Sequence, residues 1–239
     1  MKETRINKYL SEVGYCSRRA ADKLIDEGRV TINGKVPEMG TKITELDEIH
    51  VDGKLISESN DKPVYIAFNK PKGIVCTSDA KRERNNIIDY INYPTRIFPI
   101  GRLDRPSEGL IFLTNDGDIV NKILRARNNH EKEYIVCVNK TITDDFIKKM
   151  GNGVPVLDTY TKKCFVEQLD EKQFKIILTQ GLNRQIRRMC EHFDYRVVKL
   201  KRTRIMNVDL DISVGKWRDL TSKELEEINR LISESSKTV

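Results

Sequence analysis

The sequence predicts an α+β protein in two unequal parts, residues 1–60 and 61–239. Three observations carry this expectation. Apolar residues at helical spacing near the N-terminus give way to short, hairpin-like runs. A polar stretch ending in proline, Ser57-Glu58-Ser59-Asn60-Asp61-Lys62-Pro63, then reads as a linker. Beyond it, strand-length runs rich in β-branched and aromatic residues alternate with short helices.

In the smaller part, Ile6, Tyr9, Leu10 and Val13 follow i, i+3, i+4, i+7 spacing and mark one face of a helix that Gly14 ends. Ser17 caps a second helix running to about Glu27, with Ala20, Ala21, Leu24 and Ile25 inward and Gly28 as its stop. Arg18, Arg19 and Lys23 then lie in the first turns of that helix. Val30 to Ile32 is a strand, and Asn33-Gly34 is a tight-turn signal. Ile49 to Val51 and Lys54 to Ile56 form a hairpin around Asp52-Gly53.

In the larger part, Val64 to Asn69 is a strand, Asn69 to Gly73 a turn, and Ile74 to Thr77 a resumed strand. Leu110 to Leu113, Glu133 to Val138, Lys163 to Val166 and Phe174 to Leu178 are further strands. Asp118 to Arg125 and Thr143 to Met150 are helices, the second capped by Thr143. Gln180 to Phe193 is a strand-to-helix transition capped by Asn183. A last helix opens at Leu220 to Glu224 and ends near Ile232, and the tail beyond is frayed.

The chain has 239 residues, a charged fraction of 33% and a net charge of +7. That balance suits a polyanionic partner such as nucleic acid. No apolar run approaches the roughly 20 residues of a bilayer span, and no secretory signal is present, so no membrane partner is expected. The five cysteines are scattered and never form a Cys-x-x-Cys pair, which fits reduced thiols in the cytoplasm. Cys190 and His192 are two apart on a helix and so on different faces. No metal site is expected there.

Three segments carry candidate chemistry. Gly101-Arg102-Leu103-Asp104 holds one carboxylate in a basic turn before a strand. Taken alone, Asp104 is more simply an ordinary turn aspartate paired with Arg102 or Arg105. Lys132-Glu133-Tyr134 opens a strand, and the Tyr134 ring suits stacking on a nucleobase as well as core packing. In Gln180 to Phe193, the residues Ile186, Met189, Cys190 and Phe193 form an apolar helical stripe. Arg187 lies at its border, where a buried stem can direct the guanidinium at a buried Asp104. Arg184 and Arg188 point away from the stripe and suit phosphates.

Two resemblances follow from these residues. The order Asn7-Lys8-Tyr9-Leu10, Ser17-Arg18-Arg19, Gly28, Asn33-Gly34 resembles the S4 RNA-binding domain. Residues 64 to 230 resemble the RsuA type of RNA pseudouridine synthase, through Asn69-Lys70-Pro71-x-Gly73, Gly101-Arg102-Leu103-Asp104, Lys132-Glu133-Tyr134 and Arg184-Gln185-Ile186-Arg187-Arg188-Met189. The resemblance implies a small S4-like domain plus a catalytic domain with a mixed, mainly antiparallel central sheet flanked by helices. It implies Asp104 as the catalytic aspartate, Tyr134 stacked on the target base, Arg187 paired with Asp104, and Ile186 lining the site. It also implies RNA contacts from Arg18, Arg19, Lys23, Arg102, Arg184 and Arg188, no cofactor, and a monomer.

Within that type, Leu200-x-Arg202-x-Arg204-Ile205-Met206-Asn207 is most similar to members that act on large-subunit (23S) ribosomal RNA. A 16S ribosomal RNA or a tRNA anticodon arm remains an alternative target, and a non-catalytic RNA-binding assembly factor an alternative role. Two positions depart from the pattern. Pro106 follows the catalytic position closely, and Asp194 stands where glycine is usual.

Overall fold

The computed structural model describes residues 3–57, 62–78, 83–124 and 129–233. The chain separates into two compact units, residues 1–63 with 94–96, and residues 64–93 with 97–239.

The first unit runs β1 (Thr4–Arg5), α1 (Ile6–Glu12), α2 (Arg18–Asp26), β2 (Val30–Ile32), β3 (Lys42–Ile43), β4 (Ile49–Val51) and β5 (Lys54–Leu55). Ile6 and Leu10 of α1 meet Ala21 and Ile25 of α2 over Val30, Ile43, Ile49 and Val51. The Ser17 hydroxyl accepts from the Ala20 amide at 3.2 Å, as a helix cap does. Ala20 itself is exposed, because helical geometry turns it away from the stripe that holds Ala21 and Ile25. Both predicted two-residue turns have positive φ at both positions, 50° and 79° at Asn33-Gly34 and 50° and 74° at Asp52-Gly53. That is the requirement of a type I′ hairpin turn.

The second unit runs β6 (Tyr65–Lys70), α3 (Ile87–Ile91), β7 (Phe98–Ile100), β8 (Glu108–Thr114), α4 (Gly117–Leu124), β9 (Lys132–Val138), α5 (Asp144–Gly151), β10 (Pro155–Val156), β11 (Thr159–Tyr160), β12 (Phe165–Asp170), β13 (Gln173–Leu178), α6 (Gln185–His192), β14 (Val197–Ile205), β15 (Val208–Asp209), β16 (Trp217–Asp219) and α7 (Ser222–Ile232). Its sheet has the order β12-β13-β9-β14-β8-β6-β16, with β7 added on β8 and β15 on β14. Among the described residues, β14 and β8 pair in parallel and the other pairs are antiparallel. The architecture is therefore α+β, with a mixed, mainly antiparallel sheet.

Strand alternation sorts the core onto two faces. Ile66, Phe68, Ile111, Leu113, Tyr134 and Val136 face α3, α5 and α6. Ala67, Leu110 and Phe112 face α4 and α7. The Thr143 hydroxyl caps α5 by accepting from the Phe146 amide, and Thr221 and Glu224 close a capping box on α7.

Several local expectations shift. Residues 74–77 form no strand: Val75 makes an isolated bridge to Asn86, and the segment clamps a neighbouring loop instead. The predicted strand at 163–166 lies at Phe165–Asp170. Asn183 does not cap α6. Arg184 stands at the cap with φ 51°, and its side chain makes no capping hydrogen bond. Gly117 opens the helix predicted from Asp118, while Arg125 lies outside the described residues, as do linker positions 58–61 and tail positions 234–239. Asp194 has φ 61°, the left-handed region that favours glycine.

Candidate active site

Asp104 sits in the loop between β7 and β8, and several short contacts fix that loop. The Ser107 amide donates to the Asp104 carbonyl at 3.0 Å, closing a turn around Arg105 and Pro106. The Gly73 amide donates to the Arg105 carbonyl at 2.8 Å. The Leu103 amide donates to Cys76 Sγ at 3.3 Å. Lys70 is fully buried and its Nζ holds the Pro71 and Ile74 carbonyls at 2.9 and 2.8 Å. The segment that failed to become a strand thus braces the aspartate.

The close approach of β8 and β14 seats the loop from the other side. Gly109 (φ 112°) faces Arg202, and a Cβ there would lie 2.3 Å from the Arg202 carbonyl oxygen. A side chain at this position is therefore excluded.

Arg187 on α6 reaches this loop with its stem buried. Its Nη2 donates to Ser107 Oγ at 3.0 Å and its Nη1 to the Val197 carbonyl at 3.4 Å. Its Nε lies 3.6 Å from Asp104 Oδ2. The pair is asymmetric: the Arg187 side chain is 9% exposed and that of Asp104 is 33% exposed. Asp104 is therefore not the buried carboxylate the sequence suggested, because its turn stands at the cleft edge. It pairs with Arg187 rather than with Arg102 or Arg105. Burial lowers the Arg187 pKa, and the Asp104 carboxylate works against that shift.

Asp104, Arg187, Tyr134 and Ile186 line one cleft of about 680 Å³. Arg102 and Arg184 line it too, and both are exposed. Arg188 does not. Its Nε and Nη2 turn back to the carbonyl and Oδ1 of Asn183, at 3.0 and 3.2 Å. In the first unit, Arg18, Arg19 and Lys23 are exposed, and Lys23 lies 3.5 Å from Glu27.

Two further basic residues, which the sequence motifs did not mark as site residues, belong to the cleft. Lys132 and Arg202 both line the cleft and are buried. Burial pushes the Lys132 ammonium down to about 8, and the Arg202 charge adds to this. A signal was available for Lys132. Lys132 and Tyr134 are two apart at the start of a strand, so they share a face; Arg202 carried no such signal, because charges break the apolar pattern of its strand. Among the described residues, no group of three or more His, Cys, Asp or Glu side chains is placed to hold a metal ion. No described helix is long and apolar enough to cross a membrane.

The cleft thus offers one partly exposed carboxylate held by a buried guanidinium, a flat ring in its lining, and exposed arginines. That set suits work on a nucleotide whose base is drawn out of its stack.

Comparison with known proteins agrees with this chemistry. The family model for RNA pseudouridylate synthase matches residues 64–192, and that for the S4 domain matches residues 4–49. The dual-specificity RNA pseudouridine synthase RluF of Salmonella typhi is 58% identical over 235 residues, covering 98% of this chain and 81% of that protein. The ribosomal large subunit pseudouridine synthase B of Bacillus subtilis (strain 168) is 34% identical over 236 residues, covering 95% of this chain and 96% of that protein. A crystal structure of a pseudouridylate synthase superposes with a TM-score of 0.69 at 28% identity, covering 94% of this chain and 99% of that one. A carboxylate, an aromatic ring and exposed arginines in one cleft fit the same conclusion: the chain belongs to the RNA pseudouridylate synthases, enzymes that isomerise uridine to pseudouridine within RNA, and carries an S4 domain ahead of its catalytic fold.

Proposed function

We propose that the cleft around Asp104 is the catalytic site and that its target is a uridine of 23S ribosomal RNA. In this reading, residues 1–60 form the RNA-binding domain and residues 61–239 the catalytic domain. Asp104 acts on the nucleotide, Arg187 orients its carboxylate, Tyr134 stacks on the base, and Ile186 closes the apolar wall. Arg102 and Arg184 meet phosphates at the cleft mouth, and Arg18, Arg19 and Lys23 do so from the S4 domain. Arg188 has a weaker claim, since Asn183 already engages its guanidinium.

The observation that carries the proposal is the Arg187–Asp104 pair at 3.6 Å in the same cleft as the Tyr134 ring. The reaction balances without a co-reactant. The N1–C1′ bond breaks, the uracil turns, C5 bonds to C1′, and the C5 proton is lost as N1 gains one. Stacking on Tyr134 offsets part of the cost of unstacking the base, on the order of 1–3 kcal/mol. In this reading the chain acts as a monomer.

The ribosomal target draws support from the Bacillus subtilis relative, named as a large-subunit enzyme. The dual-specificity name of the 58% identical relatives favours a second RNA beside it, and a tRNA anticodon arm is the substrate to test first. Carbodiimide mapping of pseudouridine in ribosomal RNA and tRNA, with and without the protein, tests both. A new pseudouridine in 23S RNA is expected. Its absence from that RNA would overturn the ribosomal assignment.

A further inference from the structure

Lys132 and Arg202 also sit in the cleft, and the proposed chemistry leaves both unused. Lys132 opens β9 and is 8% exposed, and Arg202 lies within β14 and is 3% exposed. Arg202 is the cross-strand neighbour of Tyr134, and Lys132 shares a strand face with it. The two cations therefore flank the ring proposed to carry the base. The Arg202 guanidinium carbon is 5.9 Å from the centre of that ring.

Neither cation has an acidic partner among the described residues. Lys132 Nζ has one long contact, to the His130 carbonyl at 3.4 Å. Arg202 Nε donates to the Leu110 carbonyl at 2.6 Å, but its Nη2 is buried without a hydrogen-bond partner. Two like charges set together at low exposure destabilise the free protein unless something compensates them. The described residues offer them carbonyls and the Tyr134 ring, but no paired carboxylate. A ligand bringing negative charge would compensate them.

We propose that Lys132 and Arg202 form a subsite for a negatively charged oxygen of the target nucleotide. The proposal rests on the reading of Tyr134 as the base platform. The nucleotide offers two such oxygens. One belongs to its phosphate. The other belongs to the uracil, which holds the electron pair of the broken N1–C1′ bond and spreads it onto O2 and O4. That charge disappears when C5 bonds to C1′, and the C5 proton is then lost as N1 gains one. The shared chemistry is an oxyanion, and the two sources separate experimentally.

The test compares the full-length protein with Lys132→Met and Lys132→Arg on a synthetic RNA stem-loop carrying the uridine that the unaltered enzyme converts. Three quantities are read: the single-turnover rate, the affinity for the stem-loop and for the same RNA abasic at the target, and Tm without RNA. Lys132→Met should raise Tm, because an apolar chain replaces an uncompensated buried charge. It should also lower the rate about 10²-fold or more, the scale of one lost charge-stabilising contact. Lys132→Arg should restore the rate to within a few-fold. A loss of affinity shared by the uridine and abasic RNAs assigns the subsite to phosphate. Unchanged affinity with a reduced rate assigns it to the uracil. Lys132→Met turning over and binding like the unaltered enzyme overturns the subsite. So does a fall in its Tm, which makes Lys132 a structural residue. If the unaltered enzyme converts no uridine in any RNA, the functional reading fails and the subsite falls with it.

Discussion

Arg187 on α6 holds its Nε 3.6 Å from Oδ2 of Asp104, a residue 83 positions earlier in the turn before β8. Its outer nitrogens are engaged by Ser107 and the Val197 carbonyl, so the guanidinium is set before any substrate arrives. The carboxylate keeps a third of its side chain open to solvent. A fixed cation behind a partly exposed anion orients the anion without hiding it.

Replacing Arg187 with Met should therefore cut the single-turnover rate by roughly 10³-fold, the scale of a removed preorganised charge. It should also cost roughly 2 kcal/mol of stability through the lost Ser107 hydrogen bond and stem packing. Arg187→Lys keeps charge but not the planar fork, and should recover stability better than rate. Rapid-quench assays and chemical denaturation of both variants check this. Equal recovery of the two would argue against an orienting role.

Lys132 links the cleft to the pH dependence of folding. Its folded value is about 8, against 10.5 for an ordinary lysine. Between those values the unfolded chain binds more protons than the folded one, so stability rises with pH across that window. Below pH 8 the full penalty applies, roughly 3 kcal/mol from a shift of this size. Denaturation of the unaltered protein and Lys132→Met from pH 7 to 10.5 should show the two stabilities converging as pH rises. A pH-independent difference would contradict the assignment.

Gly109→Ala tests the seat of the Asp104 loop. The added carbon would lie 2.3 Å from one backbone atom of Arg202 and 2.6 Å from another, at a φ of 112°. Strand separation or backbone rearrangement must follow. The expected loss is at least about 3 kcal/mol, read as a lowered denaturation midpoint. A variant as stable as the parent would show that the two strands part easily.

Arg18→Gln with Arg19→Gln tests the S4 domain. Both side chains are exposed, so Tm should barely change. If both meet phosphates, the slope of log affinity against log salt should fall by about 1.5, near 0.7–0.9 for each contact. An unchanged slope would remove these arginines from the RNA interface.

Features decided by local chemistry were legible in the sequence. The Ser17 and Thr143 caps and the Asn33-Gly34 and Asp52-Gly53 turns depend on a few adjacent residues. The apolar stripe of α6 placed Arg187 at its border, and from there it does reach Asp104. Tertiary context decided the rest. Residues 74–77 read as a strand because they are apolar, yet they serve Lys70 and the aspartate loop. β14 was hidden because Lys199, Lys201, Arg202 and Arg204 break its apolar pattern, although it lies centrally in the sheet. The place of Arg202 in the cleft was hidden too, because sequence does not show that Tyr134 and Gly109 flank it on neighbouring strands.

The central claim is that Asp104 acts on the uridine. The most direct measurement is single-turnover pseudouridine formation by Asp104→Asn, read together with affinity for the same RNA. The substitution preserves shape and removes the charge that faces Arg187. No detectable pseudouridine with affinity within a few-fold of the unaltered enzyme is the predicted result. Turnover by Asp104→Asn at a rate comparable to the unaltered enzyme would contradict it.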